Sequence, residues 1–283
     1  KGNAWVAFLI IIILLGLYEY TQQLRQGLGI TGMRDYALWG IYISNFVFFV
    51  AVSLVGSLIT AILRLSDVHW STPLTRIAEI IAVAAIIMAG ITIIIDMGRP
   101  DRLYNIFLHG RLQSVIIWDV IVISTYLVIS VLFLYYPLLP DFSILKKYFQ
   151  GDKKVSKRYG KLSLNWIGNV RQMRVYSRSI TALSVLIIPV AIAIHTVTAW
   201  LFETTYRPGW DSTNFGPYFV AGAFVAGSGA VVVVMYVLRR TYKLENYITD
   251  SHFDKMGKIL VMLCLVYLYF NINEYLMPIY KST

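Results

Sequence analysis

Seven long apolar segments recur along the chain, and they limit its fold more than any other feature. They lie at about residues 3–20, 37–63, 77–96, 115–136, 180–202, 214–238 and 257–275. An α-helix needs about 20 apolar residues to cross the hydrocarbon of a bilayer. Backbone polar groups in hydrocarbon must be satisfied within the protein, which favours helices. The sequence therefore predicts an all-α polytopic membrane protein with at least seven transmembrane helices.

The composition agrees with a membrane protein and excludes several classes of function. Hydrophobic residues make up 58% of the 283 residues and charged residues only 14%, whereas soluble domains have about 25% charged residues. Basic loops at one membrane face explain the formal net charge of +10, so no nucleic-acid partner is expected. The single cysteine, Cys264, can form no internal disulfide and cannot alone hold an iron–sulfur cluster.

Basic residues are distributed unequally between the two sides of the predicted membrane. If the N-terminus is inside, 18 Lys and Arg residues lie inside and 7 lie outside. The positive-inside rule therefore predicts a cytoplasmic N-terminus. The segment 137–179 is interpreted as a basic cytoplasmic loop that could include a short surface helix. This loop would separate a first membrane bundle of four helices, 1–136, from a second bundle with three visible helices, 180–283.

Two carboxylates and one imidazole lie in apolar segments and are predicted to share the outer membrane side. Asp96 ends the third segment in the stretch "IIIDMGRPDRL", Asp119 lies within the fourth, and His195 lies within the fifth. Ionisable groups at membrane depth often mark functional sites. An interfacial ion pair is the alternative for Asp96, and a buried structural hydrogen bond is the alternative for the other two. The functional interpretation is a pocket in which these groups handle protons.

Three aromatic residues and one amide accompany these ionisable groups. Trp39, Tyr42 and Asn45 belong to the outer half of the second segment, and Trp118 directly precedes Asp119. All four are candidate ligand contacts. An aromatic belt at the membrane interface explains the aromatic residues equally well.

A charged pair lies at the start of the third segment, on the predicted inner side. Arg76 and Glu79 are three residues apart, which places them on one face of a helix. They could form an ion pair with each other, or they could belong to the inner mouth of a proton path.

Several kinds of redox or photochemical site are not expected. A haem held by two histidines is improbable because only His195 lies deep in an apolar segment. A retinal Schiff base needs a helical lysine, and the seventh segment has none between Lys258 and Lys281. No P-loop or zinc-ligand spacing occurs, and no metal site is expected. A redox centre would then be a diffusible lipid-soluble cofactor, or it would belong to another subunit.

Six motifs, in the same order along the chain, resemble the NrfD/polysulfide-reductase family of membrane subunits. They are "LWGIYISNFVFFVAVSL", "TRIAE", "DMGRPDR", "SVIIWDVIVISTYL", "HTVTAWLF" and "RPGWDSTNFGPYFVAGA". The resemblance covers roughly residues 30–275 and is closest to the longer members found in alternative complex III and in Hmc- and Dsr-type complexes. It implies a pair of helix bundles. Family members have more helices than the seven counted here, so we expect this chain to be part of a longer protein.

The resemblance also implies a function and a set of partners. Such subunits bind a quinone, here menaquinone, near the outer face of the prokaryotic inner (cytoplasmic) membrane. They exchange electrons with an iron–sulfur subunit at that face, and protons could be translocated as well. A multihaem cytochrome c and other membrane subunits would complete the respiratory oxidoreductase. The chain itself would hold no haem or iron–sulfur cluster.

Residue roles follow from the resemblance motif by motif. Asp96 and Asp119 would line the quinone pocket or the proton route, and His195 would bond a quinone oxygen or relay its proton. Arg99 would lie beneath the partner and could stabilise anionic charge on the quinol.

Arg76 and Glu79, in the "TRIAE" motif, would belong to the inner half of a proton path. This assignment is also implied by the resemblance.

A secondary transporter or ion-translocating subunit is the main alternative function, since intramembrane acids suit it as well. Transporters tend to contain inverted repeats and broken helices at the midplane. No convincing repeat is visible in the sequence. A purely structural anchor is a third possibility, and it would tolerate alanine throughout the polar cluster.

Overall fold

The computed structural model describes residues 2–33, 40–67, 72–204 and 210–281. The described residues form nine α-helices: α1 (Gly2–Gln26), α2 (Ile41–Leu65), α3 (Thr72–Asp96), α4 (Tyr104–His109), α5 (Val115–Tyr148), α6 (Lys153–Leu162), α7 (Val170–Glu203), α8 (Phe215–Thr241) and α9 (Asp250–Lys281). Seven of them, all except α4 and α6, are long and apolar enough to cross a membrane. The prediction of an all-α polytopic membrane protein with at least seven spans is confirmed.

Two of the long helices extend well beyond the apolar segments that predicted them. α5 continues to Tyr148 rather than ending near residue 136, and α7 begins at Val170 rather than near residue 180. With α6 between them, most of the segment interpreted as a loop is helical. Hydropathy marks only the part of a helix that lies in hydrocarbon. Lysine, arginine and leucine are good helix formers, so these helices continue past that part.

α2 is the central helix of the bundle and packs against α3, α7 and α8. Glycines permit its closest approaches. A Cβ on Gly56 would lie 2.5 Å from the carbonyl oxygen of Ala78 in α3, and a Cβ on Gly227 of α8 would lie 2.6 Å from that of Ala51. Small residues at crossings are typical of membrane helices, which gain stability from close van der Waals packing. The main apolar core accordingly surrounds α2.

α1 and α9 lie at the periphery. None of the described residues in the most apolar stretch of either helix is buried. α9 packs on α8, where the rings of Tyr218 and Tyr267 stack and their hydroxyl oxygens are 2.9 Å apart. Since α2 packs against α7 and α8, one continuous core joins the two predicted bundles. The division of the chain into two bundles, separated by residues 137–179, remains a prediction.

The bundle has two chemically different ends. α2 and α5 run in the same direction, because Ser53 contacts Tyr126 and Arg64 lies over the ring of Phe133. One end therefore contains the beginnings of α2 and α5, and we call it the Asp119 end. The opposite end contains the last turn of α2 and the first turns of α3, and we call it the Glu79 end.

Candidate functional site

The carboxylate of Asp119 is buried between α5 and α7. Its residue is only 4% exposed, although it lies just one turn inside α5. The hydroxyl of Thr198 on α7 donates a hydrogen bond of 2.8 Å to Oδ1 of Asp119. A buried carboxylate is costly unless it is paired or hydrogen-bonded. Here its described partner is a neutral hydroxyl, which compensates the burial less than a cation would.

The imidazole of His195 is fully buried on the same helix as Thr198. The two residues are three apart, so they lie on one face of α7. Neither ring nitrogen of His195 has a hydrogen-bond partner among the described residues. An aromatic neighbour is Phe219 of α8, whose ring centroid lies 6.0 Å from that of the imidazole. An unsatisfied buried polar group in a native fold calls for an explanation.

Asp119, Thr198 and His195 form what we call the carboxylate–imidazole site. The structure joins Asp119 to α7 through Thr198, which is three residues after His195, and the shared pocket of Asp119, Asp96 and His195 remains a prediction. Thr198 was missed by sequence reasoning, although its place one turn after His195 in "HTVT" was a usable signal. A carboxylate, a hydroxyl and an imidazole with open nitrogens can exchange protons and bond a polar ligand.

Asp96 belongs to a second group of polar residues at the same end of the bundle. The buried side chain of Gln23 joins three helices, since Nε2 donates to the carbonyl of Ile95 in α3 and Oε1 accepts from the hydroxyl of Tyr42 in α2, both at 2.8 Å. Asp96 directly follows Ile95 and is half-buried. No described hydrogen bond joins Asp96 to Asp119. Sequence reasoning missed Gln23, because the sequence does not show which of two adjacent glutamines faces the bundle.

The other predicted ligand contacts at this end are more exposed. Trp118 is 39% exposed, and its Nε1 donates to the carbonyl of Leu112 at 2.5 Å. Its ring meets that of Trp200 edge-on, with centroids 6.5 Å apart. Asn45 is also exposed on α2. Trp39 lies outside the described residues.

Arg99 lies in the loop after α3 and is exposed. Gly98, with φ of 65°, adopts the left-handed conformation that follows the end of α3. The guanidinium of Arg99 donates two hydrogen bonds of 3.0 Å to the carboxylate of Asp101. These bonds raise the pKa of Arg99 and lower the pKa of Asp101. Arg99 is thus paired within its own loop.

Four charged residues at the Glu79 end form what we call the arginine cluster: Arg64, Arg76, Glu79 and Asp141. Sequence reasoning considered a pair between Arg76 and Glu79, but the ion pairs are different. Arg64 pairs with the buried carboxylate of Glu79 at 2.5 Å, and Arg76 pairs with Asp141 at 3.2 Å. Residues from α2 and α5 supply the partners, and their positions depend on helix packing that the local spacing does not contain.

Further contacts hold the arginines in place. Arg76 donates to the carbonyl of Pro137 at 2.8 Å, and the guanidinium of Arg64 lies 4.9 Å from the ring centroid of Phe133. One nitrogen of each arginine, Nη1, is buried without a hydrogen-bond partner among the described residues.

A buried hydroxyl network lies between the two ends. The hydroxyl of Tyr126 donates to the carbonyl of Ser53 at 2.7 Å and lies 3.0 and 2.8 Å from the hydroxyl oxygens of Ser53 and Ser57. Tyr126 is seven residues after Asp119, which is about 10 Å along α5. Sequence reasoning did not single out these residues, because a tyrosine and serines in an apolar helix do not indicate their neighbours.

An apolar groove between α2, α3 and α8 is a second place where a lipid-soluble molecule could lie. Its volume is about 590 Å³, and residues such as Phe49, Ala85 and Val233 line it. It contains no ionisable side chain among its lining residues, all of which belong to the described ranges. Nor do three or more His, Cys, Asp or Glu residues come together as metal ligands in the described part of the chain.

Comparison with known proteins identifies one family. A family model described as polysulphide reductase, NrfD, matches residues 29–281, so the match begins after α1.

Three similar proteins belong to reductases or oxidoreductases. A dimethyl sulfoxide reductase membrane subunit from Halobacterium salinarum is 30% identical over 84% of this chain and 52% of its own length. A selenate reductase subunit from Mesobacillus selenatarsenatis is 20% identical over 98% of this chain and 64% of its own length. The Hdr-like menaquinol oxidoreductase integral membrane subunit of Archaeoglobus fulgidus is 22% identical over 87% of this chain and 54% of its own length. The chain thus spans about half to two thirds of the length of these relatives.

Proposed function

Because the chain belongs to the polysulphide reductase NrfD family, we propose that it is the quinone- or quinol-binding membrane subunit of a multi-subunit respiratory oxidoreductase. The resemblance read from six sequence motifs is confirmed by the family match over residues 29–281. Menaquinone is the proposed quinone, and the name of the Archaeoglobus fulgidus relative, a menaquinol oxidoreductase subunit, supports this choice.

One observation supports the proposal most directly: the buried imidazole of His195 has no hydrogen-bond partner among the described residues, and it lies three residues before Thr198, which bonds the buried carboxylate of Asp119. Burying an unsatisfied polar group costs about 1–3 kcal/mol. A ligand oxygen that bonds the imidazole would offset this cost. Quinones have oxygens on an apolar ring, and ligand sites of that kind combine a few polar groups with apolar and aromatic walls. The hydrogen-bonding groups of Asp119, Thr198 and His195 are of the kind that such a ligand needs.

Each residue of the carboxylate–imidazole site has a proposed task. Quinol oxidation yields electrons together with protons, so a proton acceptor is needed close to a ring oxygen. Asp119 is the proposed acceptor, and the hydroxyl of Thr198 holds its carboxylate in one orientation. His195 bonds a ring oxygen, and since no described residue fixes its tautomer, it can donate or accept.

The other predicted ligand contacts are proposed to lie around the carboxylate–imidazole site rather than in it. Asp96 and Tyr42 would form a second polar wall at the Asp119 end, where Gln23 bonds the hydroxyl of Tyr42 and the carbonyl of Ile95. Trp118 would contact a ligand that enters from the interface. Asn45, which is exposed on α2, would contact a ligand only on its way to the site.

The Asp119 end is the proposed docking face for an iron–sulfur subunit. Three large side chains of the short helix α4 are exposed there: Tyr104 (59%), Phe107 (71%) and Leu108 (70%). Arg99 lies in the same loop region. A multihaem cytochrome c and other membrane subunits would complete the complex. The proposed location is the cytoplasmic membrane of a prokaryote. The charge distribution supports a cytoplasmic N-terminus, which makes this docking face the outer one.

Proton translocation is a separate proposal. Arg76 and Glu79 would form the inner part of a path, and Tyr126 with its serine partners would lie between them and Asp119. The same buried polar groups favour an ion-translocating subunit as the second candidate function. The two candidates differ in one respect: only the first requires quinol-dependent electron transfer.

The replacement His195→Leu tests the proposal. In the purified complex, we expect quinol-dependent reduction of the acceptor to fall at least about tenfold, with less quinone retained after purification. Thr196→Val is the matched control, because the Thr196 hydroxyl donates to the carbonyl of Ile192 in its own helix, at 3.0 Å. Unchanged turnover in His195→Leu would contradict the proposed site. If neither the purified complex nor the isolated membranes oxidise quinol but the protein still transports ions, the second candidate, an ion-translocating subunit, would be favoured.

A further inference from the structure

A basic groove lies where α6 folds back on α5, at the Glu79 end of the bundle. Its volume is about 550 Å³. We call it the lysine groove, because Lys146, Lys153, Lys157 and Lys161 line it together with polar residues such as Ser156 and Asn165. None of its lining residues, all within the described part of the chain, is an acid. Four lysine side chains therefore line one concave surface, and no acidic residue lines it with them.

The sequence of α6 explains why the basic residues lie together. Lys153, Lys157 and Lys161 recur every four residues, so they form one stripe along the helix. The ring of Tyr159, on another face, stacks on Phe142 and Phe149 of the α5 region, with centroids 6.2 and 5.8 Å away. This aromatic packing fixes the rotation of α6. The basic stripe is consequently held at the edge of α5 rather than being free to turn into solvent.

Lys146 completes the groove from α5. Its side chain lies across Gly160, where an added Cβ would be 3.4 Å from Cε and 3.7 Å from Nζ of the lysine. The lysine side chain thus passes at van der Waals distance from this position, and a side chain longer than a methyl group there would compete for the space around the ammonium group. The side chain of Asp152 does not compete for it, because that carboxylate caps α6 by accepting from the backbone N–H groups of Lys154 and Val155.

The groove extends to the depth of lipid headgroups. α5 has 34 residues and is therefore about 51 Å long, more than the ~40–45 Å of a bilayer with its headgroups. α6 returns along this excess length, since Ser156 donates to the carbonyl of Lys146 and Tyr135 donates to that of Leu162, at 3.1 and 2.7 Å. Tyr135 is at the end of the apolar part of α5, so Lys161 lies close to the hydrocarbon boundary.

We propose that the lysine groove binds the phosphate group of an anionic phospholipid. Lysine ammonium groups bind phosphate as compact point charges, and basic pockets beside membrane helices suit anionic headgroups. Leu164, which lines the groove and is 66% exposed, would contact the acyl chains. The inference rests on the position of the groove at the membrane surface and is independent of the proposed quinone site.

Two triple variants with equal charge loss test the proposal. Lys146→Gln, Lys157→Gln and Lys161→Gln together change the groove. Lys147→Gln, Lys154→Gln and Arg158→Gln together remove the same charge from the same two helices without changing a lining residue. The purified complex is titrated in detergent with phosphatidylglycerol or phosphatidylcholine, and bound lipid is measured by native mass spectrometry. We expect wild type to prefer phosphatidylglycerol, the groove variant to lose at least about tenfold in affinity for it, and the control to stay within about twofold.

A charge-neutral variant provides an independent readout. Gly160→Leu should displace the ammonium group of Lys146 and weaken phosphatidylglycerol binding while the net charge is unchanged. Equal losses in the two triple variants would overturn the proposal, because they would indicate general attraction between a basic protein and an anionic surface. Equal binding of phosphatidylglycerol and phosphatidylcholine to wild type would also overturn the proposal. So would a cross-link from Lys157 to another subunit, because that subunit would then fill the groove.

Discussion

The two ends of the bundle both bury acidic side chains, but they differ in what faces those acids. At the Glu79 end, the buried carboxylate of Glu79 pairs with Arg64, and Arg76 pairs with Asp141. At the Asp119 end, the buried carboxylate of Asp119 has a neutral hydroxyl as its described partner, and the imidazole of His195 has none among the described residues. The buried acid thus faces a cation at one end and a neutral hydroxyl at the other, while buried polar atoms without a described hydrogen-bond partner occur at both ends.

This difference predicts that the Glu79 end contributes chiefly to stability, apart from the separately proposed proton path, and that the Asp119 end binds a ligand. A buried ion pair stabilises little in itself, but removing one partner strands a charge and destabilises the fold strongly. An open polar site contributes little to folding and is available to a ligand. We therefore expect substitutions in the arginine cluster to reduce stability, and substitutions in the carboxylate–imidazole site to reduce activity while the fold persists.

The largest expected effect is on stability, from Arg64→Ala. It would leave Glu79 buried without its cation and should lower the free energy of unfolding by about 3–5 kcal/mol. Thermal unfolding of the purified protein in detergent measures this. Arg239→Ala is the control, because its partner Asp250 is 92% exposed. The double variant Arg64→Ala, Glu79→Ala should recover part of the lost stability. If Arg64→Ala alone is as stable as wild type, the two ends do not differ in their contribution to stability.

Asp119→Asn should have the next largest effect, and on turnover. The amide keeps the shape of the side chain but cannot accept a proton, so quinol oxidation by the complex should fall about 100-fold or more. The unfolding temperature should stay close to that of wild type, since Asn can still accept from Thr198. Thr125→Val on the same helix is the control, because the Thr125 hydroxyl donates to Ile121 within α5. If Asp119→Asn strongly lowers stability but leaves quinol oxidation unchanged, Asp119 has a structural role and is not the proton acceptor.

Thr198→Val should have a smaller effect at the same site. It removes the hydroxyl that bonds Asp119 and leaves the carboxylate without that bond, a change of about 1–1.5 kcal/mol, or about five- to tenfold in turnover. Steady-state kinetics with a quinol substrate measure it, with Thr196→Val as the matched control. If both threonine variants behave alike, the hydrogen bond has no part in positioning the carboxylate.

Tyr126→Phe should have the smallest effect of the series. It removes the hydroxyl that joins the two serines of α2, so stability should decrease by about 0.5–1.5 kcal/mol. Turnover with quinol should change less than about twofold, because the hydroxyl is about 10 Å from Asp119 along α5. Thermal unfolding and kinetics on the same preparation test both points. A large loss of turnover would extend the functional site from the Asp119 end into the middle of the membrane.

The sequence predicts the membrane spans well, because burial in hydrocarbon imposes a long apolar run on each of them. It predicts the ends of α5 and α7 poorly. Beyond the bilayer, polar residues such as Lys146 and Arg174 continue the helices, and their hydropathy does not distinguish a helix from a loop. The position of α6 depends on the stacking of Tyr159 against α5, which is a contact between segments.

The candidate site was predictable in part for the same reason. Asp119 and His195 are conspicuous because ionisable groups are rare in apolar segments. Thr198 and Gln23 are ordinary residues whose importance comes from the helix that each one faces. The pairing of Glu79 with Arg64 rather than Arg76 depends likewise on how α2 packs against α3.

Photolabelling with a reactive quinone analogue, followed by peptide mapping, tests the central claim most directly. Quinol-competitive labelling should occur on residues 115–122 of α5 and 192–202 of α7, around Asp119 and His195, and should be reduced in His195→Leu. Labelling confined to the apolar groove at Phe49, Ala85 and Val233 would contradict the assignment of quinone binding to the carboxylate–imidazole site.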